Sequence, residues 1–428
     1  MSTSRQSTLW RGNRLLFGLA AVTWSAVTLA TDYGVQFVCP VTQHEELTQE
    51  MDRYLAELEI APERYTVKTN EADQHLRYGL NTLPGDTDTL SFHKRPELAI
   101  PVQIDWLITA SRTLRNILTV TEKEIVLALM QRGRLTEFSG TACTVVALRE
   151  HVGLRKNIVA WAERLEWRWP NGGAAAWNQR HWKSGTPRSG TSVSRAVQDV
   201  FESQDRYAFG CYTAAKLVIV QGTLDYYRRV KNLPATFDEI EIRLLADGDP
   251  LVNLEPGRMW SFEPDISARE MLRPGKLLRL INAVARNNFV PGDWVYFLNT
   301  DPASHAKTGY EGSNPIYLGR NRFADYYNDN DHAYSFQEKL DDVYQWRHGV
   351  FSRRRDAGKI VPLDANELTA LSGRPEDGGL LLPLRASPYF FGHETLPLLQ
   401  METPSPTAKA KANIAIHGPT TSRSERAQ

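Results

Sequence analysis

The stretch YAFGCYTAAKLVIVQGTLDYY, Tyr207 to Tyr227, sets a lone cysteine, Cys211, between a glycine and a long apolar helical run. A thiol in the first turn of a helix lies at the positive end of the macrodipole, where the unsatisfied N–H groups favour the thiolate. Gly210 lets the backbone turn sharply there and leaves room for a carbonyl to approach. The same run, with Ala214, Ala215, Val218 and Val220, also suits a small cysteine packed in a core. The downstream segments of the chain favour the nucleophile. VPGDWVYFLN, Val290 to Asn299, joins a Pro-Gly turn to an aromatic, β-branched run and predicts a strand. GSNPIYLG and NRFADYY predict two more short strands joined by a turn around Gly319–Asn321. Cys143, in SGTACTVVAL, also heads a helical run, but no such strands go with it.

A helix that opens on cysteine, succeeded by strands able to bring a base to the sulfur, is the geometry of papain-like thiol catalysis. The rest of the chain sets the frame. Its 428 residues imply one large or two modest domains, and the 11 Trp, 16 Tyr and 15 Phe are ample for a packed core. Lys plus Arg equal Asp plus Glu at 50 each, so no global field draws the chain to nucleic acid, and no nucleic-acid partner is expected. The chain has no P-loop, no G-x-G-x-x-G after a strand and no H-E-x-x-H, and neither a metal nor an organic cofactor is expected.

The first 30 residues place Arg5, Arg11 and Arg14 before the apolar run Leu15 to Ala30, in the order of a secretory signal. The run is shorter than the ~20 residues of a membrane span, so membrane contact is expected only if it is an uncleaved anchor. A buried N-terminal helix fits the same residues. In an oxidising compartment a Cys39–Cys143 bridge becomes possible and leaves Cys211 unpaired.

Helical spacing recurs at 42–58, where Leu47, Met51, Tyr54, Leu55 and Leu58 repeat on one face. Thr121 and Glu124 have capping-box spacing ahead of a helix ending near Gly133. Further helices are read in CTVVALREHVG, in RKNIVAWAERLEW, from Ser192 to Ser203, and from Ser335 toward a basic end near Arg355. TFDEIEIRLLAD fits either a helix or a strand, and the part of 264–288 after Pro274–Gly275 looks helical. Trp167, Trp169, Trp177 and Trp182 crowd one loop, as a small core beneath it or as an aromatic wall of a substrate groove.

AVQDVFESQDRYAFGCYTAAKLVIVQGTLDYY, PGDWVYFLN and EGSNPIYLGRNRFADYY, with NIVAWA at Asn157 to Ala162, resemble the spore-coat-type bacterial protein-glutamine γ-glutamyltransferases, the transglutaminases. PGDWVYF and PIYLG also resemble strands of NlpC-like cell-wall peptidases. The resemblance covers roughly 145–350. It implies that a cysteine thiolate attacks a protein glutamine, ammonia leaves, and a lysine amine or water takes the thioester; the implied partners are protein or peptide glutamine and lysine side chains.

On this resemblance Cys211 is the nucleophile. Three positions depart from the family pattern: Gly210 stands where the family has glutamate before its cysteine, Ser313 where it has a catalytic glutamate, and Asp325 where it has a histidine. Glu311 lies two residues before Ser313 and projects from the same strand face. Asp325 could orient a histidine, for which His305 in DPASHAKTG and His332 in NDNDHAY are available.

The expected fold is α+β: an N-terminal segment at 1–30, a helical region at 31–140, a papain-like, NlpC-type catalytic domain at 141–360 with Cys211 opening a helix against a small antiparallel sheet, a Pro/Gly-rich segment at 361–400 and a disordered tail at 401–428. The expected activity is transglutaminase-like acyl transfer. A cysteine amidohydrolase of cell-wall or small peptides, and a catalytically silent binding relative, use the same core.

Overall fold

The computed structural model describes residues 33–81, 101–108, 113–132, 134–163, 165–170, 175–183, 185–246, 278–282, 289–307, 309–324, 326–327, 333–349, 358, 364, 366 and 380–388. The chain divides into residues 1–31 and 32–428, and the described residues belong to the second unit. The expected export segment, the 401–428 tail, Asp325 and His332 lie outside them.

The region expected to be helical contains strands as well. β1 (Gly34–Val38), β2 (Tyr65–Asn70), β3 (His75–Leu80) and β6 (Leu135–Ser139) form one sheet in the order β2-β3-β1-β6, in which β1 runs parallel to β6. β4 (Pro101–Ile108) and β5 (Thr113–Val120) pair as a separate hairpin. The α1 helix (His44–Glu57) buries Leu47, Met51, Tyr54 and Leu55, as the spacing predicts. The β4 strand alternates Val102, Ile104 and Trp106 with Gln103 and Asp105, a period-two signal that the helical reading of the segment passes over.

The α2 helix (Glu122–Met130) begins at Thr121, whose hydroxyl accepts from the Glu124 N–H at 3.0 Å. The expected return bond is replaced by a long-range one. Buried Glu124 accepts from the backbone N–H of Arg320 at 2.6 Å, in the turn where Gly319, Arg320 and Asn321 all have positive φ.

The two helices read before and after Gly153 are one, α3 (Val145–Ala162), capped by the Thr144 hydroxyl. Gly153 reads as a stop because glycine disfavours helix interiors, but here it is a point of contact. A Cβ there would lie 2.7 Å from the Tyr226 hydroxyl. A Cβ at Gly222 would lie 2.8 Å from the Ile158 Cα, so α3 packs backbone to backbone against α5 (Cys211–Asp225).

The central helix is α5. Every residue from Tyr212 to Leu224 is buried, the mark of a helix enclosed on all sides. Around it stand α4 (Val193–Glu202) and α6 (Pro234–Ala246), which settles the ambiguous TFDEIEIRLLAD as helix.

The tryptophan-rich loop belongs to the core and carries a two-residue hairpin, β7 (Trp182–Lys183) with β8 (Thr186–Pro187). Trp167, Trp177 and Trp182 are buried, and Trp167 and Trp182 donate to the Val200 and Ala196 carbonyls of α4. Ala176 exchanges both backbone bonds with Ala208, and the Phe209 N–H donates to the Arg168 carbonyl at 3.3 Å. The loop thereby holds the two residues that lead into Gly210 and Cys211. Of the four tryptophans, Trp169 alone is half-buried, edge-on to Tyr327 at 5.1 Å.

The second half carries an antiparallel sheet of β9 (Leu278–Asn282), β10 (Trp294–Asn299), β11 (Gly312–Ser313) and β15 (Leu380–Pro388), in the order β11-β10-β15-β9. Two departures from expectation lie here. Residues 278–282 are a strand where helix was read, and the Pro/Gly-rich 361–400 segment contributes β15. Each gains its place by pairing with a distant partner, which local pattern does not report. The expected strands on both sides of Gly319–Asn321 are present as β12 (Tyr317–Gly319) and β13 (Arg322–Ala324), with β14 (Ala333–Tyr334) paired to β13. The α7 helix (Phe336–Arg347) starts from a complete capping box of Ser335 and Glu338.

The β10 strand divides the interior by its two-residue period. Trp294, Tyr296 and Leu298 join the large core around α3 and α5, while Val295 and Phe297 join a second cluster with Phe323, Tyr334 and Phe336. A buried ionic clamp fixes the start of β10. Asp293 accepts from Arg134 at 2.7 and 3.1 Å, from Arg155 at 3.0 Å and from the Val290 N–H at 3.0 Å. Burial pushes the Arg155 guanidinium down to about 10 against the opposing pull of Asp293. Cys39 and Cys143 form a disulfide with Cα atoms 6.0 Å apart, inside the usual span.

Candidate active site

Cys211 is the first residue of α5, behind Gly210 in an extended conformation at φ −78°, ψ 167°. It is half-buried and is the cysteine left outside the disulfide. Its first helical turn sits against β10, with the Tyr212 ring edge-on to Trp294 at 5.0 Å.

Asn314, just past β11, reaches the sulfur. Its Nδ2 donates to the Cys211 Sγ at 3.3 Å, and its Oδ1 accepts from the Trp294 indole N–H at 3.2 Å. An indole nitrogen is a donor only, so Trp294 sets which way the amide points and presents the NH2 to the sulfur. A donor aimed at sulfur favours the thiolate, as does the helix start. Both act in the direction a nucleophile needs.

Ser313 is turned away from this cluster. It pairs with Phe297 across the ladder, and its hydroxyl lies 3.0 Å from the Tyr334 hydroxyl, on the side of the second cluster. The pleat sends Asn314 to the opposite side. Glu311 is half-buried and accepts from the Gly309 N–H at 2.7 Å, while its carbonyl accepts from the Asn299 N–H. His305 is half-buried in a loop held by Asp301, which accepts from Ser304 and from Arg347 at 2.9 Å. Among the described residues the His305 ring makes no hydrogen bond or ion pair.

Asn314, Trp294 and Tyr296 are absent from the site residues expected from the sequence. Tyr296 is 3% exposed. Burial first, and then the negative charges of Cys211 and Glu311, hold its phenol far above the ordinary range. The available signal is the spacing of Trp294 and Tyr296, which puts them on one face of a predicted strand, and the place of Asn314 beside Ser313. Among the described residues there is no cluster of His, Cys, Asp or Glu that could hold a metal, and no helix long and apolar enough to cross a membrane.

A half-buried cysteine thus heads an enclosed helix, with a polar donor on its sulfur and an antiparallel sheet beside it, in an α+β fold. The family model of protein-glutamine gamma-glutamyltransferase matches residues 108–330, more than half of the chain, and the chain belongs to that family. Comparison with the curated proteins gives no match. Among solved structures, the transglutaminase from Geobacillus stearothermophilus, without its C-terminal extension, is similar at 19% identity over 56% of this chain and 92% of that one, with a TM-score of 0.34.

Proposed function

We propose that the protein transfers the acyl group of protein glutamine side chains to lysine amines or water through a thioester on Cys211, and that residues 141–360 are its catalytic domain. The observation that carries this reading is the Asn314 donor on the sulfur at the start of α5, within a transglutaminase-family chain. The Cys211 sulfur bonds to the carboxamide carbon and the carbonyl electron pair moves to oxygen. Collapse expels ammonia, which leaves with the proton that the thiol gave up. Amine or water then attacks the thioester and returns a proton to the sulfur.

With Gly210 and Ser313 in place of the family's carboxylates, the base falls to Glu311, Asp325 or His305. The charge of Glu311 acts on the same Tyr296 phenol as that of Cys211, which favours it over the turned-away Ser313. The disulfide supports an oxidising compartment, in keeping with the signal-like first 30 residues.

The test is incorporation of a fluorescent primary amine into a glutamine-bearing protein, with ammonia release read in parallel. Incorporation by the parent protein and none by Cys211→Ala supports transfer to amine. Ammonia release without incorporation identifies water as the acceptor. Equal signals from the parent and Cys211→Ala overturn the reading. A silent relative is favoured by Ser313, whose hydroxyl faces Tyr334 where the family has its catalytic glutamate.

A further inference from the structure

The Tyr296 hydroxyl is buried and has no hydrogen-bond partner among the described residues. A buried phenol normally finds one, and an unpaired one leaves its desolvation cost uncompensated. Its position is informative. Tyr296 lies two residues beyond Trp294 on the face of β10 that meets the cysteine helix, and Trp294 holds the amide that reaches Cys211. On the neighbouring strand, a Cβ at Gly312 would lie 3.1 Å from the Tyr296 oxygen and would collide with the Phe297 carbonyl. Glycine therefore lets the backbone of β11 pass close beside the hydroxyl, two residues before Asn314. The phenol stays protonated at every working pH, because burial and the nearby negative charges oppose its ionisation. It is a donor awaiting an acceptor.

We propose that Tyr296 is a catalytic residue whose hydroxyl donates to the acyl oxygen of the substrate carboxamide, and most strongly to the oxyanion formed when Cys211 attacks. The inference rests on the Cys211 thioester reading. No proton leaves the phenol: the sulfur–carbon bond forms, the carbonyl pair moves to oxygen, and the hydroxyl hydrogen bond shortens onto that charge. A preorganised donor at the oxyanion position acts on kcat more than on KM. The free enzyme carries the unpaired group because its partner arrives with the substrate.

The experiment uses the full chain, parent and Tyr296→Phe, with a peptide whose glutamine carboxamide is replaced by an aldehyde. The thiol adds across the aldehyde and its proton moves to the oxygen, giving a hemithioacetal that holds oxygen in the oxyanion position without turnover. Protection of Cys211 from iodoacetamide by this peptide reads its affinity. We expect Tyr296→Phe to weaken protection roughly tenfold, to lower kcat for amine transfer by about 10²–10³ with little change in KM, and to leave the pH profile of Cys211 labelling unchanged. Its melting temperature should equal or exceed that of the parent, since an unpaired hydroxyl is removed without changing shape.

Equal protection of the parent and Tyr296→Phe overturns the proposal while leaving the thioester reading intact. A labelling profile shifted upward in pH also overturns it, because the hydroxyl would then serve the sulfur. A lowered melting temperature assigns the hydroxyl to the fold and overturns it too. A parent protein that the aldehyde does not protect sinks the thioester reading, and the role of Tyr296 with it.

Discussion

Replacing Asn314 with aspartate tests the cysteine environment with almost no change of shape. The Trp294 indole can still donate to one oxygen, so the side chain keeps its orientation and presents a carboxylate oxygen where the amide NH2 stood, about 3.3 Å from the sulfur. Two like charges at that distance repel by about 5 kcal/mol at an effective dielectric constant of ~20. Cys211 is half-buried, and solvent screening reduces this to roughly 2–3 kcal/mol. A negative charge disfavours the thiolate, so the thiol pKa rises, by about two units at ~1.4 kcal/mol each. The lost donor acts in the same direction. Near neutrality the thiolate fraction should fall about a hundredfold, and the rate of alkylation with it. The assay is iodoacetamide labelling from pH 5 to 9. With the disulfide intact, Cys211 is the cysteine available to label. Labelling profiles of Asn314→Asp and parent that superpose would refute the claim that Asn314 governs the sulfur.

Asp293→Asn removes the carboxylate from a clamp of two buried guanidinium groups and should cost about 3–5 kcal/mol in urea unfolding; a loss near zero would show that the clamp is not needed to hold β10. Cys39→Ser together with Cys143→Ser opens a loop with a sequence separation of 104 and should lower stability by about 4–5 kcal/mol on the chain-entropy account, read by thermal melting. Ser313→Glu places a carboxylate on β11, yet its side chain starts toward Tyr334, so amine incorporation should not increase; an increase would show that the strand can turn it to the sulfur. Gly222→Val drives side-chain atoms into the Ile158 backbone and should destabilise by about 1–3 kcal/mol, measured in urea.

Legibility in the sequence tracks the range of the interactions. Thr121, Ser192 and Ser335 cap helices through bonds to residues three positions on, and such spacing can be read directly. VPGDWVYFLN declares a strand because its turn and its aromatic run are contiguous. Cys211 can be singled out from Gly210, the helix and the strands beyond it. The Asn314 bond to Cys211 spans 103 positions, and the Glu124 bond to Arg320 spans 196. No local pattern carries either. Gly153 misleads for the same reason, since what makes glycine fit there is Tyr226 on another element. Strands 278–282 and 380–388 pair with each other across about a hundred residues, and their shared register is invisible when each is read alone.

The disulfide also constrains how copies of this chain can be joined. With Cys39 and Cys143 committed to each other, a covalent dimer formed by oxidation must run from Cys211 to Cys211 and place two helix starts face to face. Such a dimer would carry no free thiol and would revert on reduction. Its rate of appearance on a non-reducing gel would measure how openly the start of α5 presents its sulfur to an object as large as another protein.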